Sequence, residues 1–293
     1  MPELPEVETV RRDLAPLVSG RRIQRFIVFE GGERVLVGAP KDYVRSRLEG
    51  MQIGELGRRG KYLVLPLVEA RSGAGEGSLV LHLRITGSLK HRRADHEADR
   101  FERARIELDD GTALRFCDVR KFGTFEIIDD VDTYFSEKLG AEPLTAAFTL
   151  DALWSALRGR QSALKSALLD QSNVAGLGNI YVDEALFLAR LHPSVPAGSL
   201  RPAERAALHE AIEQTLREGI EHRGASFRDY RDGKGEEGSQ QFFVRVFRRT
   251  DQPCDTCGST IRRSVVGGRS SHWCPSCQPV GQTRRKVNSS RRG

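Results

Sequence analysis

Two Cys-x-x-Cys pairs, Cys254-Asp-Thr-Cys257 and Cys274-Pro-Ser-Cys277, stand 16 residues apart near the end of a 293-residue chain. Each tight turn aims two thiolates at one tetrahedral ion, and a hairpin across the interval brings the pairs together. Four thiolates leave no open coordination position, so the expected cofactor is one structural zinc ion. Four free cysteines would be the bland alternative. The fifth cysteine, Cys117, lies in an apolar run and reads as a buried strand thiol. So few cysteines, with no secretory leader expected ahead of them, point to metal rather than disulfides. Arg262, Arg263 and Arg269 fall inside the expected hairpin, which should then hold guanidinium groups toward something anionic.

A ribbon of that size leaves most of the chain to other units, and 39% hydrophobic content is enough for real cores. Residues 1–135 read mainly as strands behind one helix. Leu79, Leu81, Leu83 and Ile85 alternate with Val80, His82, Arg84 and Thr86, the period of a strand with one buried face. Segments 23–29, 61–67, 103–108, 112–117 and 124–128 are strand-like, Asp109-Asp110-Gly111 is a turn, and 69–78 is a glycine- and serine-rich loop. After a linker at Pro143 and 144–149, Leu150, Leu153, Trp154 and Leu157 recur at helical spacing, as do Leu208, Ile212, Leu216 and Ile220. Helices at 162–169 and 179–190 lie between them, and 231–240 reads as a mobile loop.

The expected fold is therefore α+β and multidomain. It comprises an N-terminal β-sandwich or barrel with a leading helix (1–135), a helical domain (144–240), a zinc ribbon (244–278) and a basic, disordered tail (279–293). Lys and Arg number 46 against 40 acids, a net +6 that favours a polyanionic partner. No apolar run approaches membrane-spanning length. The tail, with Arg284, Arg285, Lys286, Arg291 and Arg292 and no acid, is either a non-specific DNA-contacting arm or a solubilising end.

The opening MPELPEVETV supports two readings. The plain one is a stiff arm before a helix, with Pro5 in the first turn and Glu6 and Glu8 near the positive helix end. The chemical one begins with removal of Met1. Pro2 would then offer a free secondary amine, with a pKa of about 8 against about 10.4 for lysine. Condensed with a sugar aldehyde, it gives a permanently cationic iminium, an electron sink for elimination one carbon away. Glu3 would stand beside it to move protons.

Three further stretches carry the same ambiguity. Gly176-Leu-Gly178-Asn179 precedes a helix, with Asn179 as N-cap and amides open to a phosphate, or it is an ordinary turn. Lys165 either joins that anion site or is a solvated helix lysine. Asp118-Val-Arg120-Lys121-Phe122-Gly123 sets cations beside an aromatic, as a wedge into a base stack requires, or is a surface loop with Phe122 turned inward.

Together the motifs resemble the formamidopyrimidine-DNA glycosylase family, bacterial enzymes that remove oxidised purines. They are PELPEVET at residues 2–9, RRGKY around Lys61, LHLRITGSL around His82, DVRKFG around Phe122, GLGNIY around Asn179 and the four-cysteine ribbon. The resemblance runs from Pro2 to about Gln278 and implies a helix-two-turns-helix element in the helical domain. It makes Pro2 the nucleophile at C1′ and Glu3 the acid that assists base departure and sugar opening. Lys61 becomes the proton-transfer lysine of β-elimination. Arg269 becomes the arginine linked to δ-elimination and phosphate contact. Clamping phosphate is its safer role, because a guanidinium does not give up its proton. Asn179 and Lys165 match phosphate-binding positions, and Arg120 and Phe122 match the residues that fill the gap left by a flipped-out lesion. Arg160 is a further expected DNA contact.

The chain departs from the family at Ile85, where methionine is usual, and at Arg84, where glycine precedes it. Arg120-Lys121-Phe122 replaces Arg-Arg-Phe. Phe101-Glu102-Arg103 replaces a histidine-bearing segment, passing that DNA contact to Arg103. Leu4 argues for the purine branch, because endonuclease VIII-like enzymes for oxidised pyrimidines have glycine there. The expectation is thus a cytoplasmic bacterial monomer, at the nucleoid when acting. It would work on double-stranded DNA containing oxidised bases, as a glycosylase and AP lyase. The rivals are a glycosylase for oxidised pyrimidines and a catalytically silent damage-binding protein.

Overall fold

A computed structural model describes residues 1–227 and 230–280. The chain runs α1 (Leu4–Val18), β1 (Ile23–Val28), α2 (Lys41–Leu48), β2 (Gln52–Ile53), β3 (Gly57–Arg59) and β4 (Tyr62–Val68). Then come β5 (Gly75–His82), β6 (Ser88–Arg93), β7 (Glu102–Leu108), β8 (Thr112–Cys117) and β9 (Thr124–Ile128). The helices α3 (Val131–Ser136), α4 (Leu150–Leu157), α5 (Leu164–Leu169), α6 (Asn179–Leu188) and α7 (Pro202–Glu221) follow, and the hairpin β10 (Arg262–Val266) and β11 (Arg269–Trp273) ends the series. The 279–293 tail lies, from residue 281 on, outside the described residues.

The first half is a sandwich. One antiparallel sheet has the order β1-β7-β8-β6, the other β2-β4-β5-β9 with β3 on β4. Leucines set the register of the second sheet, Leu63 facing Leu81 and Leu65 facing Leu79. Their inward faces meet Phe26, Ile106 and Phe116 of the first sheet, and Val7, Val10 and Leu14 of α1 close the same core.

Three local expectations change. Strand β5 starts at Gly75 inside the expected loop and stops at His82, so Leu83–Thr86 forms a turn instead of more strand. That strand is buried on both faces, because Val80 packs with Phe135 and Leu139 on the side away from the main core. The 231–240 segment, expected as a mobile loop, folds around the buried Asp232, whose Oδ1 accepts from the amides of Lys234 and Glu236.

A second core lies among α4 to α7, built on Leu153, Leu157, Leu164, Tyr181, Leu186, Leu208, Ile212 and Leu216. Leu4, from the other end of the chain, is buried within it. Its amide donates to the Gly176 carbonyl at 3.0 Å. Gly176 has φ +85, and a Cβ there would come within 2.7 Å of Leu4 Cδ1. The N-terminus is thereby threaded between the two cores, which carries Pro2 and Glu3 to their junction. The zinc unit packs on α6 through Phe187, Val246 and Ile261.

Candidate active site

At that junction a cavity of about 600 Å³ is lined by Pro2, Glu3 and Glu6 of the N-terminus, Lys61, Ile85 and Arg120 of the sandwich, Asn179 of α6, and Arg269 of the zinc hairpin. Residues separated by up to 267 positions meet there because α1 is shared by both cores.

Glu3 is the most constrained of them. Its carboxylate accepts from the amides of Ile180 at 3.0 Å and Tyr181 at 3.3 Å, two of the unpaired donors of the first turn of α6. Gly178 permits this approach, since a Cβ there would sit 2.3 Å from the Glu3 carboxyl carbon. The anion at the start of α6 is therefore Glu3, where the sequence suggested a phosphate. Asn179 is the first residue of the helix, with Gly178 as N-cap. Its side-chain amide donates to the Ser270 hydroxyl at 3.3 Å, and it lines the cavity beside Arg269. Burial pushes the Glu3 carboxyl up to about 7. The charge of Lys61 opposes the rise and that of Glu6 adds to it.

Lys61 follows Gly60, whose φ of +55 turns the chain from β3 into β4, so the lysine stands in the turn and not in the strand. Glu142 fixes this turn: its carboxylate accepts from the Gly60 amide at 2.8 Å and pairs with Arg58 and Arg59. Lys61 is buried, and burial lowers its ammonium pKa. Glu3 and Glu6 counter this, while Arg269 adds to it. Arg269 begins β11, is exposed, and has no ion pair with a described carboxylate. Arg262 and Arg263 of the same hairpin do not line the cavity.

The wedge candidates are solvent-facing. Phe122 is 48% and Ile85 38% exposed. The Arg120 guanidinium lies 4.6 Å from the Phe122 ring centroid. Asp118, buried beneath them, accepts from the amides of Arg120 at 3.0 Å and of Phe122 and Gly123 at 2.8 Å. It also accepts from the Thr86 hydroxyl, which ties the Ile85 loop to the Phe122 loop. Arg103 donates to the Asp118 carbonyl at 3.0 Å and so braces the wedge loop from outside the cavity.

Two expected DNA contacts are not placed for that work. Lys165 is 0% exposed, and its ammonium is 2.6 Å from both Asp183 Oδ1 and the Ser270 carbonyl. In this arrangement its charge is taken up by Asp183, and it tethers the zinc hairpin to α6. Arg160 lies outside the cavity, its guanidinium on the Ala156 carbonyl and on Asn173 Oδ1.

The four thiols converge. Cys254 and Cys277 sulfurs are 3.9 Å apart, those of Cys257 and Cys274 3.4 Å, and all four lie within 4.8 Å of one another. Tetrahedral zinc with bonds of about 2.3 Å places sulfurs about 3.8 Å apart, so the set fits.

Comparison with known proteins bears on the same regions. Family models match in order: formamidopyrimidine-DNA glycosylase N-terminal domain over residues 1–125, formamidopyrimidine-DNA glycosylase H2TH domain over 139–231, and zinc finger found in FPG and IleRS over 251–280. A formamidopyrimidine-DNA glycosylase of Heliobacterium modesticaldum is 45% identical over 285 residues, spanning 95% of this chain and 100% of that protein. The chain belongs to the formamidopyrimidine-DNA glycosylase family. The Lactococcus lactis Fpg in complex with a Fapy-dG containing DNA superposes with a TM-score of 0.85, at 34% identity over 94% of this chain and 100% of that one. The same enzyme with an abasic-site DNA gives 0.86, at 35% identity over 94% and 99%. With the zinc-finger match covering all four cysteines, the ribbon holds one structural zinc ion.

In this family member, sequence reasoning passed over the residues that hold the others in place. Glu6 accepts from the Glu3 amide and the Tyr181 hydroxyl, and also from the Ala225 amide, so α1 is pinned to α6 and to the chain beyond α7. Asp183 accepts from Lys165, from the Ser271 hydroxyl and from the His272 amide. Its neighbour Glu184 accepts from the amides of Arg245, Val246 and Phe247. The adjacent acids in NIYVDEALF were the available signal. Two carboxylates in an otherwise apolar helix must each find partners.

Proposed function

We propose that this protein excises oxidised purines from double-stranded DNA and then cleaves the strand at the resulting abasic sugar, as an N-terminal-amine glycosylase and AP lyase. The observation that carries the reading is the meeting of Pro2, Glu3, Lys61 and Arg269 in one cavity. The site is complete within one chain, as a monomer requires. Among the described residues no helix is long and apolar enough to cross a membrane. The reading puts the protein in the bacterial cytoplasm, at nucleoid DNA when it acts.

Once Met1 is gone, the Pro2 lone pair attacks C1′ and the C1′–N bond breaks, its electrons leaving with the base, while the Pro2 nitrogen gives up its own proton. Glu3, its carboxyl raised by burial, passes that proton to the departing base and its own to the ring oxygen, which becomes a hydroxyl as the C1′–O bond opens. The result is an iminium between C1′ and Pro2. Loss of a C2′ proton then expels the 3′ phosphate, and a second elimination expels the 5′ phosphate. Lys61, whose ammonium is destabilised by burial, takes the C2′ proton as the neutral amine. Arg269 and Asn179 hold phosphate, and Ile85, Arg120 and Phe122 occupy the emptied stack. Water releases Pro2 from the final iminium. The zinc keeps Arg269 at the cavity.

Borohydride trapping on a lesion-containing duplex tests this, with the cross-link located by peptide mapping. The expected adduct is on Pro2. A cross-link on Lys61, or full activity in protein that retains Met1, overturns the mechanism. Preference for oxidised pyrimidines would move the protein to the sister branch.

A further inference from the structure

The cavity lining is of two chemical kinds. Lys61, Asn179 and Arg269 are cationic or polar, suited to phosphate. Ala225, Phe227, Tyr230 and Phe247 are apolar or aromatic, suited to a planar base. Hydrogen-bonding groups of the second kind are already committed. The Ala225 amide donates to Glu6 at 2.8 Å, and the Tyr230 hydroxyl lies 3.3 Å and 3.2 Å from the carbonyls of Glu6 and Arg223.

Arg248 is the exception. Its guanidinium lies 4.8 Å from the Phe227 ring centroid and 5.9 Å from that of Phe247, on the cavity wall. Among the described residues it has no ion pair or hydrogen bond for its side chain. Its backbone has φ +60, a left-handed conformation unfavourable for a residue with a Cβ. The cost is imposed from outside. Glu184 grips the three preceding amides, and the Arg249 amide donates to the Val246 carbonyl at 3.1 Å. An arginine held in a glycine conformation over an aromatic ring, its donors without a partner among the described residues, calls for a role.

Resting on the function proposed above, we propose that Arg248 reads the extruded base, selecting guanine-derived lesions by donating to the carbonyl oxygen at their six position. A guanidinium is a planar fork of donors with no acceptor. It pairs with the carbonyl-bearing edge of an oxidised or ring-opened guanine. The corresponding adenine lesion offers an amino group at the six position and meets donor with donor. Phe227 holds the guanidinium over its ring, which limits the directions its donors can take.

The test uses the full zinc-loaded chain with Arg248→Met, which keeps an apolar stem over Phe227 and removes the donors. A second variant, Arg248→Gly, suits the left-handed backbone and secures a folded protein if methionine does not. Three duplexes are compared: guanine-derived formamidopyrimidine, adenine-derived formamidopyrimidine, and a pre-formed abasic site. Both variants should lose roughly tenfold or more in kcat/KM on the guanine lesion, within the range of one lost hydrogen bond from a charged donor. The loss on the adenine lesion and on the abasic site should be much smaller, and Arg248→Gly should melt no lower than the wild type. Equal losses on all three duplexes, with the salt slope of binding reduced by about one, would make Arg248 a phosphate contact and overturn base reading. No loss on the guanine lesion overturns it as well. Failure of the functional reading itself is separate, because the wild type would then excise neither formamidopyrimidine lesion.

Discussion

Glu3 and Gly178 fit each other across the domain boundary. The carboxylate enters the first turn of α6 only where the facing residue has no Cβ, and the closest approach would be 2.3 Å. Gly178 has φ −136, so space, not backbone conformation, requires glycine here. Gly178→Ala should therefore push Glu3 off the amides of Ile180 and Tyr181. The expected stability loss is about 1–3 kcal/mol, typical of overpacking. Base excision should fall further than the lost folded fraction explains. Thermal melts beside single-turnover excision check it.

With its carboxyl near 7, Glu3 should give lesion excision an acidic group whose protonated form is active, so the rate declines as pH rises through about 7. Glu3→Gln should abolish most excision yet still open a pre-formed abasic site, which needs no base departure. Stability carries the same signature. Between pH 4.5 and about 7 the folded chain keeps a proton that the unfolded chain has lost, so ΔG of unfolding falls as pH rises through that window. Denaturant titrations of wild type and Glu3→Gln across it should diverge in that direction. A flat difference would reject the raised carboxyl.

Lys165 and Asp183 form an ion pair with both side chains 0% exposed. Lys165→Met removes one partner and leaves a buried carboxylate, which costs roughly 3–5 kcal/mol. The zinc hairpin, held through Ser270, should loosen first, seen as faster amide exchange in 262–273. The salt slope of DNA binding should stay unchanged for this variant and drop by about one for Arg269→Gln. A lower slope for Lys165→Met would restore its phosphate role.

Removing zinc should separate the modules. Cys274→Ser, or a strong chelator, should release the ion, weaken lesion-DNA binding and reduce trapping through the displaced Arg269. The sandwich should keep its cooperative unfolding, because its core shares no side chain with the ribbon. Metal analysis with exchange mapping reads both effects. Full activity without zinc would sink the assignment.

What the sequence determined by itself was whatever repeats within a few residues. The Cys-x-x-Cys spacing named the metal, short strand-like segments named most of the sandwich, and PELPE with the short motifs named the family. Burial of charge was not legible, because it depends on contacts far along the chain. Lys165 reads as solvated or phosphate-bound until Asp183 and Ser270 enclose it, 18 and 105 residues away. The glycines before α6 read as a phosphate cradle until Glu3 fills it from 177 residues upstream. Asp118 and Arg248 likewise gain their roles only from what folds around them. A side chain's chemistry is written in its residue type, but its charge state and freedom to bind are set by solvent and neighbours, and only the tertiary structure decides which of those it keeps.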